Sequence, residues 1–574
     1  MRAYHISPDG CGAERLVQIV RRNGLRGVCD TTGTIAHRVV TAAMTGRAPF
    51  RHHGAVRLYT GLWRLAPLAR PPLEAWRLFG HLRRHDPQAR FILTTRDPEA
   101  WVLDRATRDG GAVLTAYARH WNLPEERVIE RWRGDWDDHL AAVAAHFGDD
   151  PALIRIDCDR DSPQDATRRL RALWPLPTLP VGADWWRTDP APTSAQLARL
   201  DRLTGEAAPD PDFAADVARF CLGNLAPDDS GKTGVSRLYC RWDGGRLIRD
   251  GRNNVLPVTI GPAPDGRGDL AAGAPDMDFK EARAEGVVNQ ILQLGRRDPV
   301  RIDMQDSRWM GSPDGPPLGV PVLGHNRRSG ARNLVLWPLP GQHEIGLRGY
   351  ATAVCDDPIP FADKIDRIVW RGHISGAETL PGRIRPGMAA HDLLALLHDA
   401  APSEAPAIVE RLNTVPRLAF LRRWHGHADV DAGMVLAPRY RHMAAHPALA
   451  PYGAAPQGRA FFRRFRYQLC LAGYDHGSNF LGAINTRGVL FKEEDGWEVF
   501  YLGRFRAWEH YIPVARHLDD LPERLAWARD HPQECRAMSR AARAEVARFA
   551  NHASRDLMLR LILDGLARVP TGAP

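Results

Sequence analysis

The densest chemistry in the chain lies between Arg466 and Pro513, RYQLCLAGYDHGSNFLGAINTRGVLFKEEDGWEVFYLGRFRAWEHYIP. An apolar run, Tyr467 to Leu471, reads as a strand and leads into a turn of small and polar residues, Ala472 to Ser478. A helix-compatible stretch follows, Asn479 to Asn485. A second apolar run, Gly488 to Phe491, leads to three acids, Glu493, Glu494 and Asp495. Strand, tight turn and helix start gather backbone N–H groups on an anion. Nucleotide-binding α/β halves use this order and hold their ligand at the carboxyl ends of the strands. Acids after the next strand would then meet sugar hydroxyls. Strand–turn–helix units occur in every α/β protein, so the local physics alone does not choose a ligand.

The elements that must position these residues fall into three regions. Residues 1–185 alternate apolar runs (Ala3–Ile6, Phe91–Thr95, Ala152–Ile156) with helical patterns (Ala13–Arg22, Pro72–Arg84, Trp132–Phe147), which predicts a parallel α/β sheet. Residues 186–232 are rich in Asp, Ala and Pro and read as a connector with one helical stretch, Ser194–Leu203. From residue 233 a strand-like segment with an Asp243-Gly244-Gly245 hairpin signal opens a second α/β pattern, which closes with long helices from Pro522 to Leu566.

Length and composition set the class. The 574 residues suffice for three or four domains, and 44% hydrophobic with 25% charged residues is globular composition. No run of eighteen apolar residues is present, and MRAYHISPDG lacks an apolar signal core, so a cytoplasmic location is expected. The eight cysteines have neither paired nor zinc-type spacing. Net charge is +9, and only Lys232, Lys280, Lys364 and Lys492 among the basic residues are lysines. So much arginine suits contact with phosphates, on a nucleotide or at the periphery of an anionic membrane surface, or follows from a high-GC genome. No basic run alternates with aromatics, so nucleic acid is not an expected partner.

The 466–514 segment resembles glycosyltransferase family 90, which includes Rumi-like protein O-glucosyltransferases, capsule xylosyltransferases and lipopolysaccharide glycosyltransferases. The likeness rests on the K/R-Y-x-x-C/N-L run, the glycine loop with its hydroxyl, the acidic-aromatic stop, and His510-Tyr511-Ile512-Pro513-Val514. It implies that Gly473, Asp475, Gly477, Ser478 and Asn479 bind the donor, with Ser478 and the backbone on the diphosphate. Glu494, among the three acids, is taken for donor hydroxyls. Rumi-like members place an arginine near Asn479, whereas bacterial members tolerate Asn, which can donate a hydrogen bond but no charge. Asp475 and His476 are sequence neighbours, not an expected catalytic pair.

Two further segments carry roles through the resemblance. In VRIDMQDSRW the family's proposed catalytic aspartate falls on Asp306, with Asp303 at the position of an asparagine. An inverting transfer needs one carboxylate to take the acceptor proton while the donor carbon is attacked from the opposite face. The alternative for Asp306 is a turn aspartate capping Ser307–Trp309. In IVWRGHISG, Arg371 is expected at the diphosphate or acceptor, Gly372 permits close backbone approach, and Ser375 stands where a hydroxyl is expected. His373 and Ile374 stand where some relatives carry a second arginine, whose charge Arg383 or Arg385 would supply. Asp429-Val430-Asp431 has the form of a metal motif but is read as a fold element after a strand-like RLAFLRRWHGHA. No divalent metal site and no permanently bound cofactor are assigned.

The first region resembles sulfotransferase-like proteins that use phosphoadenosine phosphosulfate, through His5-Ile6, Tyr59-Thr60, FILTTRD with Trp101, and LIRIDCD. The active loop departs from that pattern. Gly10 replaces the lysine, Glu14 sets a carboxylate beside the expected phosphate, and Asp104 replaces a serine while Arg96 is kept.

The expected fold class is therefore α/β. A degenerate sulfotransferase-like P-loop-type domain (1–185) and a connector (186–232) precede a GT-B-like pair of Rossmann-like halves, 233–400 for acceptor and base and 401–574 for the nucleotide sugar. The expected function is inverting transfer from a UDP-sugar to a saccharide or lipid-linked glycan in lipopolysaccharide or capsule biosynthesis. A bifunctional sulfotransferase–glycosyltransferase would need an intact lysine and hydroxyls in the first loop. A non-catalytic carbohydrate-binding protein would not need the acid at 306.

Overall fold

A computed structural model describes residues 1–569 apart from 31–32, 51–53, 66–71, 122, 177–207, 227–239, 250–253, 257–258, 263–267, 271–278, 341–342, 344 and 346–356. Two compact units divide the chain. The first comprises 1–206, 240–299 and 348–351, the second 207–239, 300–347 and 352–574. Residues 240–299 thus group with the first unit, although the sequence assigned them to the 233–400 half.

The first unit contains a parallel sheet built from β1 (Ala3–His5), β2 (Arg26–Cys29), β3 (Val56–Thr60), β4 (Arg90–Thr95) and β5 (Leu153–Asp157), in the order β2-β3-β1-β4-β5. β1, β4 and β5 match the expected apolar runs, because a parallel sheet covered on both faces needs continuous apolar residues, whereas β2 and β3 were not among those runs. Helix Ala13–Arg22 falls where the periodicity placed it, and the expected Trp132–Phe147 is the later part of a helix that begins at Glu125. The expected helix Pro72–Arg84 instead begins as a short strand, Leu73–Glu74, followed by one 3₁₀ turn, Ala75–Leu78, before helix Phe79–His85. Glu74 there is held by Arg77 and Arg105, which takes it out of a simple amphipathic stripe. The hairpin at Asp243–Gly245 forms between Cys240–Trp242 and Leu247–Arg249. The Ser194–Leu203 expectation lies outside the described residues.

The second unit carries two parallel arrays. One is β6 (Val300–Asp303), β7 (Val322–Gly324) and β8 (Leu334–Leu336), in that order. The other is β9 (Ile365–Gly372), β10 (Val430–Met434), β11 (Phe465–Cys470), β12 (Val489–Glu493) and β13 (Ile512–Val514), ordered β10-β9-β11-β12-β13. An apolar cluster including Ile368, Trp370, Leu421, Tyr467, Leu469 and Phe491 fills the core of the larger sheet. The stretch RLAFLRRWHGHA, expected as a strand, is mostly helix, Pro416–Trp424. Pro416 suits a first turn, and Leu418, Leu421 and Trp424 recur every third residue on the buried side. A two-stranded ribbon, Arg327–Arg328 against Trp497–Glu498, joins the segment after β7 to the segment after β12, and Arg327 Nε donates to Glu498 Oε2 at 2.7 Å. Three helices close the chain, Leu521–Asp530, Pro532–Phe549 and His552–Ala567. Among the described residues no helix is long and apolar enough to cross a membrane.

Candidate functional site

The turn after β6 places the first candidate carboxylates. Asp303, the last residue of the strand, is buried and serves its own turn. Its Oδ1 accepts from Gln305 N at 3.1 Å and its Oδ2 from Arg308 Nη2 at 2.6 Å. Asp306 lies three residues beyond the strand, with its side chain 47% exposed. The next residue, Ser307, has φ 57, a left-handed conformation unusual outside glycine. That backbone turns Ser307 toward the 473–478 loop. Its Oγ donates to the Tyr474 carbonyl, and its N–H lies 3.4 Å from Asp475 Oδ2. Asn326 braces the same turn, donating to Gln305 O at 3.0 Å and accepting from Arg308 N at 3.3 Å. Beside it the buried His325 sets Nε2 3.6 Å from Asp306 Oδ1 and 3.4 Å from Asp475 Oδ2. Asp306, His325 and Asp475 present ligand atoms within 4.8 Å of one another, a group able to hold a cation. The sequence reading missed His325, because nothing in GHNRR distinguishes it from a structural histidine.

The 473–478 loop is crowded from below. A Cβ on Gly473 would lie 2.5 Å from Ser375 Oγ, and one on Gly477 would lie 2.5 Å from Cys470 Sγ. Both positions therefore require glycine, and Ser375 and Gly473 are brought together. Tyr474 is tied to His391 Nδ1 at 2.6 Å through its hydroxyl. Arg417, also missed in the sequence, donates to the carbonyls of Leu471, Ala472 and His373 at 2.9, 3.0 and 3.1 Å. Burial pulls its pKa below the usual arginine value. It staples the ends of β9 and β11. Ser478 is exposed, whereas Asn479 gives its amide to Leu469 O at 3.0 Å. The helix that follows, Phe480–Ile484, has only five residues. It contributes little dipole, so an anion here would rest on loop amides and nearby cations.

Asp475 and His476 diverge, as expected of sequence neighbours. His476 packs with Asp495, Nδ1 to Oδ2 3.5 Å, both side chains 2% exposed. Burial pushes the Asp495 carboxyl up, but His476 and Lys492 outweigh it and hold the group below the usual carboxylate range. Glu493 is buried and structural, accepting from Ala472 N at 3.0 Å, Arg516 Nη1 at 2.8 Å and His517 N at 3.2 Å. Glu494 is the acid that reaches solvent, its side chain 48% exposed, with Tyr511 OH donating to it at 2.9 Å.

Arg371 departs from expectation. Its guanidinium donates to Trp370 O at 2.9 Å and Asp431 O at 2.7 Å and pairs with the Asp431 carboxylate. Both Nη groups are thus engaged, two of their three bonds going to Asp431, and the side chain ties β9 to β10. The same pairing engages Asp431, while Asp429 is taken by Arg529 at 2.7 Å, so this motif acts in the fold. Gly372 makes room for the Trp370 ring, 2.5 Å from where a Cβ would stand. The exposed Arg385 guanidinium lies 5.9 Å from the centroid of Trp309, which places a cation beside the Asp306 turn.

At the carboxyl ends of β11, β12 and β13 lies a concavity of about 400 Å³, lined by Leu471, Glu493, His517, Thr379, Phe420 and Trp424 among others. His517 and Leu518 border it with φ 69 and 65, consecutive left-handed non-glycine residues of the kind that cluster at ligand sites.

The loop Gly10–Arg15 of the first unit is filled by the protein itself. Arg108 pairs with Asp9 at 2.6 Å and with Asp104, and a Cβ on Gly10 would lie 2.7 Å from Arg108 Nη2. Arg96 donates to Gly10 O at 3.2 Å, and Trp101 Nε1 donates to Asp9 O at 2.8 Å. Asp9 and Arg105, both fully buried, pair at 3.0 Å beneath.

Residues 458–561 match the family model described as Glycosyl transferase family 90. The chain is similar to Protein O-glucosyltransferase 3 of Rattus norvegicus, 27% identical over 127 residues, covering 19% of this chain and 24% of that one. Protein O-glucosyltransferase 2 of Danio rerio is 27% identical over 92 residues, 16% of this chain and 18% of its own. Uncharacterized protein 027R of Frog virus 3 is 28% identical over 99 residues, 16% of this chain and 10% of its own. The chain thus spans a quarter or less of the length of these relatives.

Proposed function

We propose that the second unit transfers a sugar from a nucleoside-diphosphate sugar, a UDP-sugar, to a saccharide hydroxyl with inversion. The observation that carries this reading is the attachment of the Asp306 turn to the 473–478 loop through Ser307. It sets an exposed carboxylate beside the loop of the segment that matches the family model. The nucleoside would occupy the concavity at the ends of β11 to β13, and the diphosphate would meet Ser375, the Gly473 backbone and Ser478. Arg385 would supply the charge that Arg371 does not, and Glu494 would hold donor hydroxyls. Asp306 takes the proton from the acceptor O–H. The acceptor oxygen bonds to the sugar carbon, and the electron pair of the breaking C–O bond leaves with the diphosphate. The Asp306–His325–Asp475 group fits a divalent ion in donor chemistry, but an ion bound through Asp306 would occupy the base, so no step is assigned to it.

Lipopolysaccharide or surface polysaccharide is the proposed pathway, on the resemblance to bacterial members of the family. A protein hydroxyl is the rival acceptor, because two of the similar relatives are named protein O-glucosyltransferases. Melting curves with UDP-glucose, UDP-xylose and UDP-galactose test the donor, since a ligand that binds only the folded state raises the transition. Retention of configuration in the product, or no response to any nucleotide sugar, would overturn the proposal.

A further inference from the structure

The ribbon Arg327–Arg328 against Trp497–Glu498 carries a cation that the fold holds in place without a counter-ion. The Arg328 guanidinium packs on two indole rings, 4.9 Å from the centroid of Trp309 and 5.1 Å from that of Trp497. The two rings meet edge to face at 5.7 Å and 77°. Nη1 donates to the Asp495 carbonyl at 2.5 Å. Gly496, with φ 71, leaves the space that the group occupies, because a Cβ there would lie 2.6 Å from Nη2. Stacking and the carbonyl fix the plane of the guanidinium, so little freedom remains to be lost when it binds. Among the described residues no carboxylate pairs with it. Half-buried, it has its pKa pulled below the usual arginine value by burial, which Asp495 opposes and Arg516 reinforces. A cation partly withdrawn from water and left unpaired gains from an oxyanion that arrives with a ligand.

Trp309 ties this cation to the transfer site. It follows Asp306 by three residues, and Ser312 holds its carbonyl through N–H at 3.2 Å and Oγ at 2.6 Å. Its indole is half-buried, whereas the neighbouring Trp497 is 7% exposed. The Arg385 guanidinium, assigned above to the donor diphosphate, lies 5.9 Å from the same ring. We infer that Trp309 and Arg328 form an acceptor subsite for a saccharide that carries a carboxylate or a phosphate. The C–H face of a sugar ring rests on the accessible part of the indole, and the oxyanion takes guanidinium N–H groups that the Asp495 carbonyl leaves open. The inference rests on the reading of Asp306 as the base, since it is the acceptor hydroxyl that must reach that carboxylate. It narrows the acceptor from any saccharide to an acidic one.

The test is calorimetry of three probes, methyl glucoside, methyl glucuronide and methyl glucoside 6-phosphate, on the protein saturated with UDP so that the donor site is closed to them. At least one charged probe should bind about tenfold more tightly than methyl glucoside, and which one does so separates a carboxylate from a phosphate. Arg328→Gln should bring the charged probes to the level of methyl glucoside. Arg328→Lys should keep part of the preference, because it keeps the charge without the planar fork. Trp309→Ala should weaken all three probes, and UDP affinity should stay within about twofold of wild type in every variant. Melting curves check the fold, and if Arg328→Gln is unfolded the Lys variant carries the comparison. Equal binding of charged and neutral probes by the wild type, or binding of none at millimolar concentration, overturns the inference. So does a preference for charge that survives in folded Arg328→Gln. A loss of UDP affinity in that variant would move the guanidinium to the diphosphate and overturn it as well. These results leave the transfer reading standing as long as a UDP-sugar raises the melting temperature and Asp306→Asn is inactive. An active Asp306→Asn removes the base assignment and the acceptor subsite together.

Discussion

At the scale of single residues, burial and partners separate groups that the sequence made look alike. Asp303 and Asp306 are three apart, yet one is locked to Arg308 and the other reaches solvent. Asp303→Ala should cost about 2–3 kcal/mol, because it leaves Arg308 and the Gln305 N–H without their acceptor, and denaturant unfolding would measure it. Arg371 and Arg385, both offered by the sequence as charges for the donor, should separate. Arg371→Ala should lower the melting temperature, whereas Arg385→Ala should weaken donor binding by about tenfold in calorimetry and leave melting unchanged. Equal loss of donor affinity in both variants would contradict this division. The sequence suggested Arg371 through the resemblance of IVWRGHISG to the family pattern, which carries no sign of a partner on the next strand. Only the proximity of Asp431 on β10 decides its role.

At the scale of elements, the loop after β1 and the short strand Leu73–Glu74 are held by one network of charged side chains. Arg108, Asp104 and Asp9 close over Gly10 where an anion would otherwise approach. Phosphoadenosine phosphosulfate should therefore show no micromolar binding by calorimetry, and such binding would refute the self-filled loop. Deeper in the same network, burial raises the Glu74 carboxyl, but Arg77 and Arg105 outweigh it and bring it down to about 2. A carboxyl depressed in the folded state stabilises above its unfolded pKa and loses that contribution as pH falls toward the folded value. Stability of the first unit should accordingly drop between about pH 4.5 and pH 2, by roughly 3 kcal/mol for this group. Glu74→Gln should flatten that part of the acid-unfolding curve. Apolar runs made strands β1, β4 and β5 readable, but helix Pro416–Trp424 was not, since its short Leu-Ala-Phe-Leu run also reads as a strand.

At the scale of the whole molecule, the pattern of parallel α/β sheets was legible because strand burial is written into short apolar runs. The division into compact units was not. Residues 240–299 group with the first unit through contacts that no local pattern encodes. The site was half legible. The 473–478 loop and Asp306 stand out in the sequence, and the structure joins them through Ser307. His325 and Arg417 reach this region by where the fold carries them, and single-residue chemistry gives no sign of that. The account as a whole depends on Asp306 taking a proton from an acceptor hydroxyl in the second unit. The most direct test is UDP release from a UDP-sugar in the presence of a saccharide acceptor, compared between wild type and Asp306→Asn. The account predicts a fall of roughly 10²–10⁴-fold in turnover with donor affinity within about twofold of wild type. An Asp306→Asn variant that turns over at the wild-type rate would contradict it.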